Sequence, residues 1–252
     1  MIVQVLIALI TFSLSGQLTA RIVDVSSEST RDAKQGFALQ AKGSFDSAKG
    51  NNNRQSYQAS LTSRYGVGNH GFLLMANTEW GVLEGSKYLE NDFIHGRYRY
   101  QLLTWLDWEI FLQKDRSRFR GLSDRNLVGS GPRFSHEGTA FQSYLGVMVM
   151  QENETYLPGV QDETEINSQR FSIYLSLKYQ HSDTVTLFST NYYQPKIDRA
   201  EEYRLISSSG MTVVLTERLD YEFSMSLSYD ANPPGEIEKQ DRRIRHGLNF
   251  KI

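Results

Sequence analysis

The chain has 252 residues, no cysteine, a formal net charge of -2 and a mean hydropathy of -0.46. That balance argues against a helical membrane protein and a basic nucleic-acid binder, and the missing thiol removes disulfide scaffolds, thiol catalysis and thiolate metal sites together. Aromatic residues make up 12%, with 14 Tyr and 13 Phe against 5 Pro, a bias toward strands over helices.

Residues 1–20 run apolar from Ile2 to Phe12 and then turn small and polar, ending Leu18, Thr19, Ala20. A helix needs about 20 apolar residues to span a bilayer, so this run is too short and fits a signal peptide. No Lys or Arg precedes it; either the signal is atypical or the true start lies upstream. Residues 21–35 are polar and lack period, which reads as a short periplasmic lead-in.

From 36 to 252 the chain alternates. Phe37, Leu39, Ala41, Gly43 and Phe45 interleave with Gln40, Lys42, Ser44 and Asp46; Tyr57, Ala59, Leu61 and Tyr65 with Gln58, Ser60, Thr62 and Arg64. Phe72, Leu74, Ala76 and Trp80 oppose Asn77 and Glu79, and Ile94, Tyr98, Tyr100 and Leu102 oppose His95, Arg97, Arg99 and Gln101. Successive side chains on a strand point to opposite faces, so each segment has one apolar and one polar face. Each is long enough to cross a membrane when tilted, about 9 to 11 residues.

A turn at 103–105 would pair Leu102 with Leu106, Tyr100 with Trp108 and Tyr98 with Ile110 outside, and Gln101 with Asp107 and Arg99 with Glu109 inside. Opposite charges facing across strands are favourable. Turns at 181–183 and 216–218 give the same parity, pairing Tyr179 with Val185 and Leu177 with Leu187, then Leu215 with Leu219 and Val213 with Tyr221. The remaining strands are expected at 125–134, 139–151, 169–180, 184–194, 202–215 and 219–230. The strand at 125–134 is the weakest, because Pro132 is tolerated in a closed sheet only at an end or a bulge.

The last strand carries Ile244, His246, Leu248, Phe250 and Ile252 on one face and Arg243, Arg245, Gly247, Asn249 and Lys251 on the other. Its ending resembles the C-terminal assembly signal of bacterial outer-membrane barrels, with Arg245, Gly247, Phe250 and Ile252 in the signal's places. That gives about twelve strands, an even number suited to a barrel with both chain ends in the periplasm. Short turns at 66–69, 103–105, 137–138, 181–183 and 216–218 alternate with longer charged loops at 114–124, 152–168, 194–201 and 230–241, again the barrel rule. Phe37, Tyr65, Trp105, Phe134, Tyr179, Tyr221 and Phe250 fall toward one rim as an interfacial girdle. The expected fold is therefore all-β, a transmembrane antiparallel up-and-down β-barrel over 36–252 in the bacterial outer membrane. The alternative, a soluble β-sandwich, gives no reason for loop length to alternate.

Residues 115–131 read D-R-S-R-F-R-G-L-S-D-R-N-L-V-G-S-G. With the Gly50-Asn51 turn, this run resembles a family of uncharacterised bacterial barrels labelled salt-induced outer-membrane proteins, through Asp115, Phe119, Arg120, Leu122, Arg125, Gly129 and Gly131. The resemblance implies fold and location, and an association with salt or osmotic conditions. Read physically, the segment is an Arg-rich outer hairpin followed by a strand whose inward glycines leave space in the lumen.

Function is expected on the inner face. Arg64, Glu79, His95, Arg97, Arg99, Asp107, Glu109, Lys178, Glu222, Arg243 and Arg245 are the lumen-lining candidates, with Lys42, Asp46, Arg204 and Asp220 beside them. Ionised groups away from water must be paired, so these either fill the lumen as a network or line a hydrated pore. A non-enzymatic envelope protein or narrow small-solute or ion channel is the leading reading, with a surface-interaction barrel acting through its outer loops as the alternative. An outer-membrane hydrolase would centre on His95, the inward histidine, with Glu90 and Asp92 near in sequence, but no hydrolase signature accompanies it. Expected partners are outer-membrane lipid and lipopolysaccharide, the barrel assembly machinery and small ions or solutes, with no nucleic acid. No cofactor or metal is expected, since Asp162, Glu163 and Glu165 match no calcium loop.

Overall fold

The computed structural model describes residues 36–50, 53–160 and 164–250. The signal peptide expected at 1–20, the lead-in at 21–35, and Ile252 lie outside the described residues, as do Asp162 and Glu163. Twelve strands follow one another: β1 Gly36–Ala48, β2 Arg54–Val67, β3 His70–Leu83, β4 Ser86–Leu103, β5 Leu106–Ser117 and β6 Leu122–Glu137. Then come β7 Phe141–Tyr156, β8 Glu165–Gln180, β9 Val185–Pro195, β10 Tyr203–Thr216, β11 Leu219–Asp230 and β12 Gln240–Phe250.

Spatial order equals chain order, each strand pairing antiparallel with the next. Among the described residues no ladder joins β12 to β1. The sheet is nevertheless rolled, because strands far apart in it meet inside. The Tyr174 hydroxyl on β8 donates to Glu109 Oε2 on β5 at 2.8 Å, and Arg204 on β10 reaches Glu154 on β7 at 3.0 Å.

Burial is inverted relative to a soluble protein. Leu112, Val149 and Leu248 are exposed while Arg133, Glu152 and Asp107 are buried, as expected where the outside solvent is hydrocarbon. Polar residues on the outer face of β9 and β10 satisfy one another. Ser207 donates to Asn191 at 2.7 Å, Asn191 donates to Ser189 at 2.9 Å, and the Ser189 and Ser209 hydroxyls share a bond of 2.8 Å.

Aromatic rings band both rims. At the rim of tight turns Tyr65 stacks on Phe72 and Trp105 on Phe134. At the loop rim Phe45, Tyr57 and Trp80 form a stack, with 4.9 Å between the last two rings, and Tyr193, Tyr203 and Tyr229 form another chain of contacts. The side chain of Phe250 is outside the description.

Register agrees with the alternation and differs at the turns. Tyr98 pairs Ile110, Arg99 pairs Glu109 and Gln101 pairs Asp107, but a bulge puts Leu103, not Leu102, opposite Leu106. A bulge likewise puts Thr216 opposite Leu219, with Val213 still opposite Tyr221. The β8–β9 connection is longer than three residues: Tyr179 faces Leu187 rather than Val185, and Leu177 faces Ser189. The shift is two residues, so inside and outside are unchanged. Pro132 lies within β6, where it has no N–H to give; the β6–β7 ladder accordingly skips Gly131 and Pro132 and resumes in the same register at Arg133. At the β3–β4 hairpin Glu84 and Gly85 both have positive φ, 49° and 79°, the backbone that a tight two-residue hairpin loop requires.

Because Val149 sits mid-strand on the outer face, Val149→Arg is expected to destabilise the folded barrel in vesicles by about 2–4 kcal/mol. Equilibrium denaturation measures this; an unchanged midpoint would contradict a lipid-facing β7.

Candidate functional site

The inner faces of β4 to β10 form three layers. Near the tight-turn rim lies an ionic layer of Arg97 and Arg99 from β4, Asp107 and Glu109 from β5, and Arg133 from β6. The ladder partners are Arg99 and Glu109, yet the ion pairs run diagonally, Arg97 to Glu109 at 3.4 Å and Arg99 to Asp107 at 3.9 Å. Arg133, with 0% exposure, approaches both carboxylates at 3.5 and 3.7 Å and lies 4.1 Å over the Tyr144 ring. A cation over the negative ring face recovers part of its lost hydration.

Above this layer sits an apolar one: Phe111, Leu127, Met148, Met150, Tyr174, Tyr192 and Ile206. Room for its rings comes from inward glycines. A Cβ on Gly146 would stand 2.1 Å from the Tyr174 ring, and one on Gly129 would stand 2.5 Å from the Phe111 ring. The space expected beside Gly129 is therefore filled, not open.

Toward the loop rim comes a second ionic layer built on Glu152, which has 0% exposure. Arg125, Arg170 and Arg204 donate to its carboxylate at 2.5 to 2.6 Å, and Ser168 adds a bond of 3.2 Å. Arg204 continues to Glu154 at 3.0 Å and to Asp230 at 2.7 Å, while Arg125 also reaches Asp115 at 3.7 Å. Charged hydrogen bonds of this kind are the strong ones, and guanidinium forks suit them. Outside the spanning strands, the Lys196 hydrogen bond to Glu202 holds that carboxyl below its usual range. This contribution to stability is present above the ordinary carboxyl pKa and lost as pH falls through the depressed one.

Of the residues singled out by sequence, the structure brings together Arg97, Arg99, Asp107 and Glu109. His95 faces inward with 2% exposure, stacked between Phe93 and Phe111, its Nδ1 3.1 Å from Gln113 Oε1. Glu79 lies within electrostatic reach of Arg243 on β12. Arg64, Lys178, Glu222 and Arg245 share the inner face, by ladder parity. Gly247 pairs with Glu222 near the end of β12. Sequence reasoning missed Arg133, Glu152, Glu154, Arg170, Tyr174 and Tyr192 as a group, and read Arg125 only as part of a motif. Inward parity was the available signal. It is obscured for Glu152 and Glu154 because the sequence pattern predicts a strand end at 151, whereas β7 runs on to Tyr156. Among the described residues no group of three or more His, Asp or Glu is placed to hold a metal ion.

Twelve up-and-down strands, an apolar exterior between aromatic rims and an ionic interior define a porin-type outer-membrane β-barrel. The solved structure of the NanC porin superposes with a TM-score of 0.50 at 9% identity, covering 85% of this chain and 99% of that one. A bacterial polysaccharide outer-membrane secretin gives 0.48 at 7% identity over 86% and 91%, and the KdgM porin gives 0.44 at 9% over 86% and 99%. The chain belongs to the family described as Protein of unknown function, DUF481, matched over residues 41–252. No curated protein matches it.

Glu152 offers the sharpest test of the ionic interior. Glu152→Gln keeps the shape but leaves three guanidinium groups around a neutral amide, and breaking a buried charge network costs about 3–5 kcal/mol. Urea denaturation of the refolded barrel should show that loss, with exposed Glu201→Gln unchanged.

Proposed function

We propose that this protein is a non-enzymatic barrel of the bacterial outer membrane that passes small ions along one sector of its lumen. The observation that carries the reading is the length of the inward side chains. Between β4 and β9 they are long and interlocked: Arg97, Phe111, Arg133, Met148, Tyr174 and Tyr192 close the section. From β10 round to β2 the inward positions include Ser208, Gly210, Ser224, Ser226, Ser228, Gly247, Ser44 and Ser60, interspersed with longer polar side chains, by ladder parity. Short hydroxylated side chains leave a narrow hydrated path, bordered by Lys42, Arg64, Arg243 and Arg245 and by Glu222 and Asp220. A wide diffusion pore does not fit this section.

The non-enzymatic part of the reading is supported by His95. Its Nδ1 faces an amide, whereas the carboxylates near it in sequence are engaged elsewhere: Asp92 with Thr78 at 2.8 Å and Glu90 with Lys87 and Arg116. Lipopolysaccharide is the proposed neighbour of the exposed loop-rim cations Lys114, Arg116 and Arg118, and the barrel assembly machinery is the proposed partner in insertion. The salt or osmotic association implied by the family resemblance is carried as the physiological setting, and expression across an osmolarity series measures it.

Planar-bilayer recording of the refolded chain, with heat-modifiable gel migration as the check on folding, tests the ion path. Small ohmic steps are expected, reduced several-fold by Ser226→Trp and changed in ion selectivity by Arg245→Glu. A folded barrel without conductance overturns the reading.

A further inference from the structure

The lipid-facing side of β9 and β10 carries a polar island between the two aromatic bands. Asn191 and Ser189 on β9 are the ladder partners of Ser207 and Ser209 on β10, and all four share the parity of Leu187, Tyr193 and Leu205, which are exposed. The next strands on either side are apolar at the same rows, with Leu175 and Leu177 on β8 and Leu227 and Met225 on β11. Tyr193 belongs to the loop-rim band. Asn191 and Ser189 follow it along β9 toward the other rim, so they lie about 5 and 10 Å inside the band at about 3.3 Å per residue and a tilt of about 40°.

Hydrocarbon accepts no hydrogen bond, so a polar group at that depth must find its partner in protein. One carboxamide and three hydroxyls bring five side-chain hydrogens, and the three bonds within the island use three of them. Among the described residues the second amide hydrogen of Asn191 and one serine hydroxyl hydrogen have no acceptor. Asn191 is exposed, so a group arriving from the membrane side can reach it.

Depth and self-complementarity identify that group. Copies of one chain inserted in one direction carry their islands at the same height, and each island offers both donors and acceptors to the other. Shape agrees as well. A convex barrel wall touches a neighbour along a narrow strip, and here the strip is serine and asparagine flanked by longer leucine and methionine. Short side chains let two backbones approach, and hydrogen bonds between polar side chains join spanning segments in the membrane. We infer that the β9–β10 face is a subunit interface, on which a second copy of this chain docks about a two-fold axis along the membrane normal.

The chain has no cysteine, so Glu201→Cys in the loop between β9 and β10 takes a donor or an acceptor dye. Energy transfer between full-length chains refolded into vesicles then reports association as lipid is added. Transfer is expected to persist on dilution. Asn191→Leu and Ser209→Leu should each raise the protein-to-lipid ratio at half-dissociation by about tenfold, the scale of one or two hydrogen bonds across a membrane interface. Leu248→Ala on the outer face of β12 should leave it unchanged, and heat-modifiable migration confirms that each variant is folded. Transfer no greater than random encounter at every dilution overturns the inference, as does association that both island variants leave intact. So does a monomer that carries a phosphorylated lipid lost on Asn191→Leu, which gives the island to a lipid headgroup. None of these outcomes depends on conductance, so the ion path stands or falls separately.

Discussion

A carboxylate stripped of water must recover its solvation from the protein, and Glu152 recovers it from Arg125, Arg170 and Arg204 at 2.5 to 2.6 Å. Those three guanidinium groups stand on β6, β8 and β10, so one buried charge on β7 ties four strands together. Arg204 then carries the chain of pairs to Asp230 on β11, and Arg125 carries it back to Asp115 on β5. Buried ion pairs contribute little net stability beside an apolar replacement, but a broken one is expensive. The network's weight therefore lies in register. A slip of one residue on any of these strands would send its arginine into the hydrocarbon.

The same physics sets what could be read from sequence. Alternation with period two is local, and it correctly assigned Trp108 and Ile110 to the outside and Asp107 and Glu109 to the inside. Turn geometry is less local, and there structure and sequence pattern differ: bulges at Leu102 and Leu215 and a longer β8–β9 connection move partners. Glu152 and Glu154 looked like loop residues because acidic residues usually mark solvent. Their arginine partners lie about 20 to 50 residues away in the chain, a separation that no pattern along one strand reveals.

Glycine and ring placement show the limit most clearly. Gly129 reads as a gap from sequence, since a missing side chain is a local fact. Which ring fills a gap is decided by strand register: Phe111 on β5 is the ladder partner of Gly129, and Tyr174 on β8 that of Gly146. The interior that results is uneven, with interlocked rings and ion pairs between β4 and β10 and inward serines interspersed with charged side chains on β11 and β12. Sequence composition averages the two sides and hides the difference.

The two aromatic bands also act as a ruler. On β2 the loop-rim band passes through Tyr57 and the opposite band through Tyr65; at about 3.3 Å per residue and a tilt of about 40°, they stand roughly 20 Å apart. That is shorter than the hydrocarbon core of a typical bilayer, about 30 Å, and nearer the thinner bacterial outer membrane. Lipid next to this barrel must compress to meet its bands, and the energy of that compression favours thin membranes over thick ones. The aromatic spacing thus gives the protein a physical preference among the membranes of its cell, independent of any targeting signal.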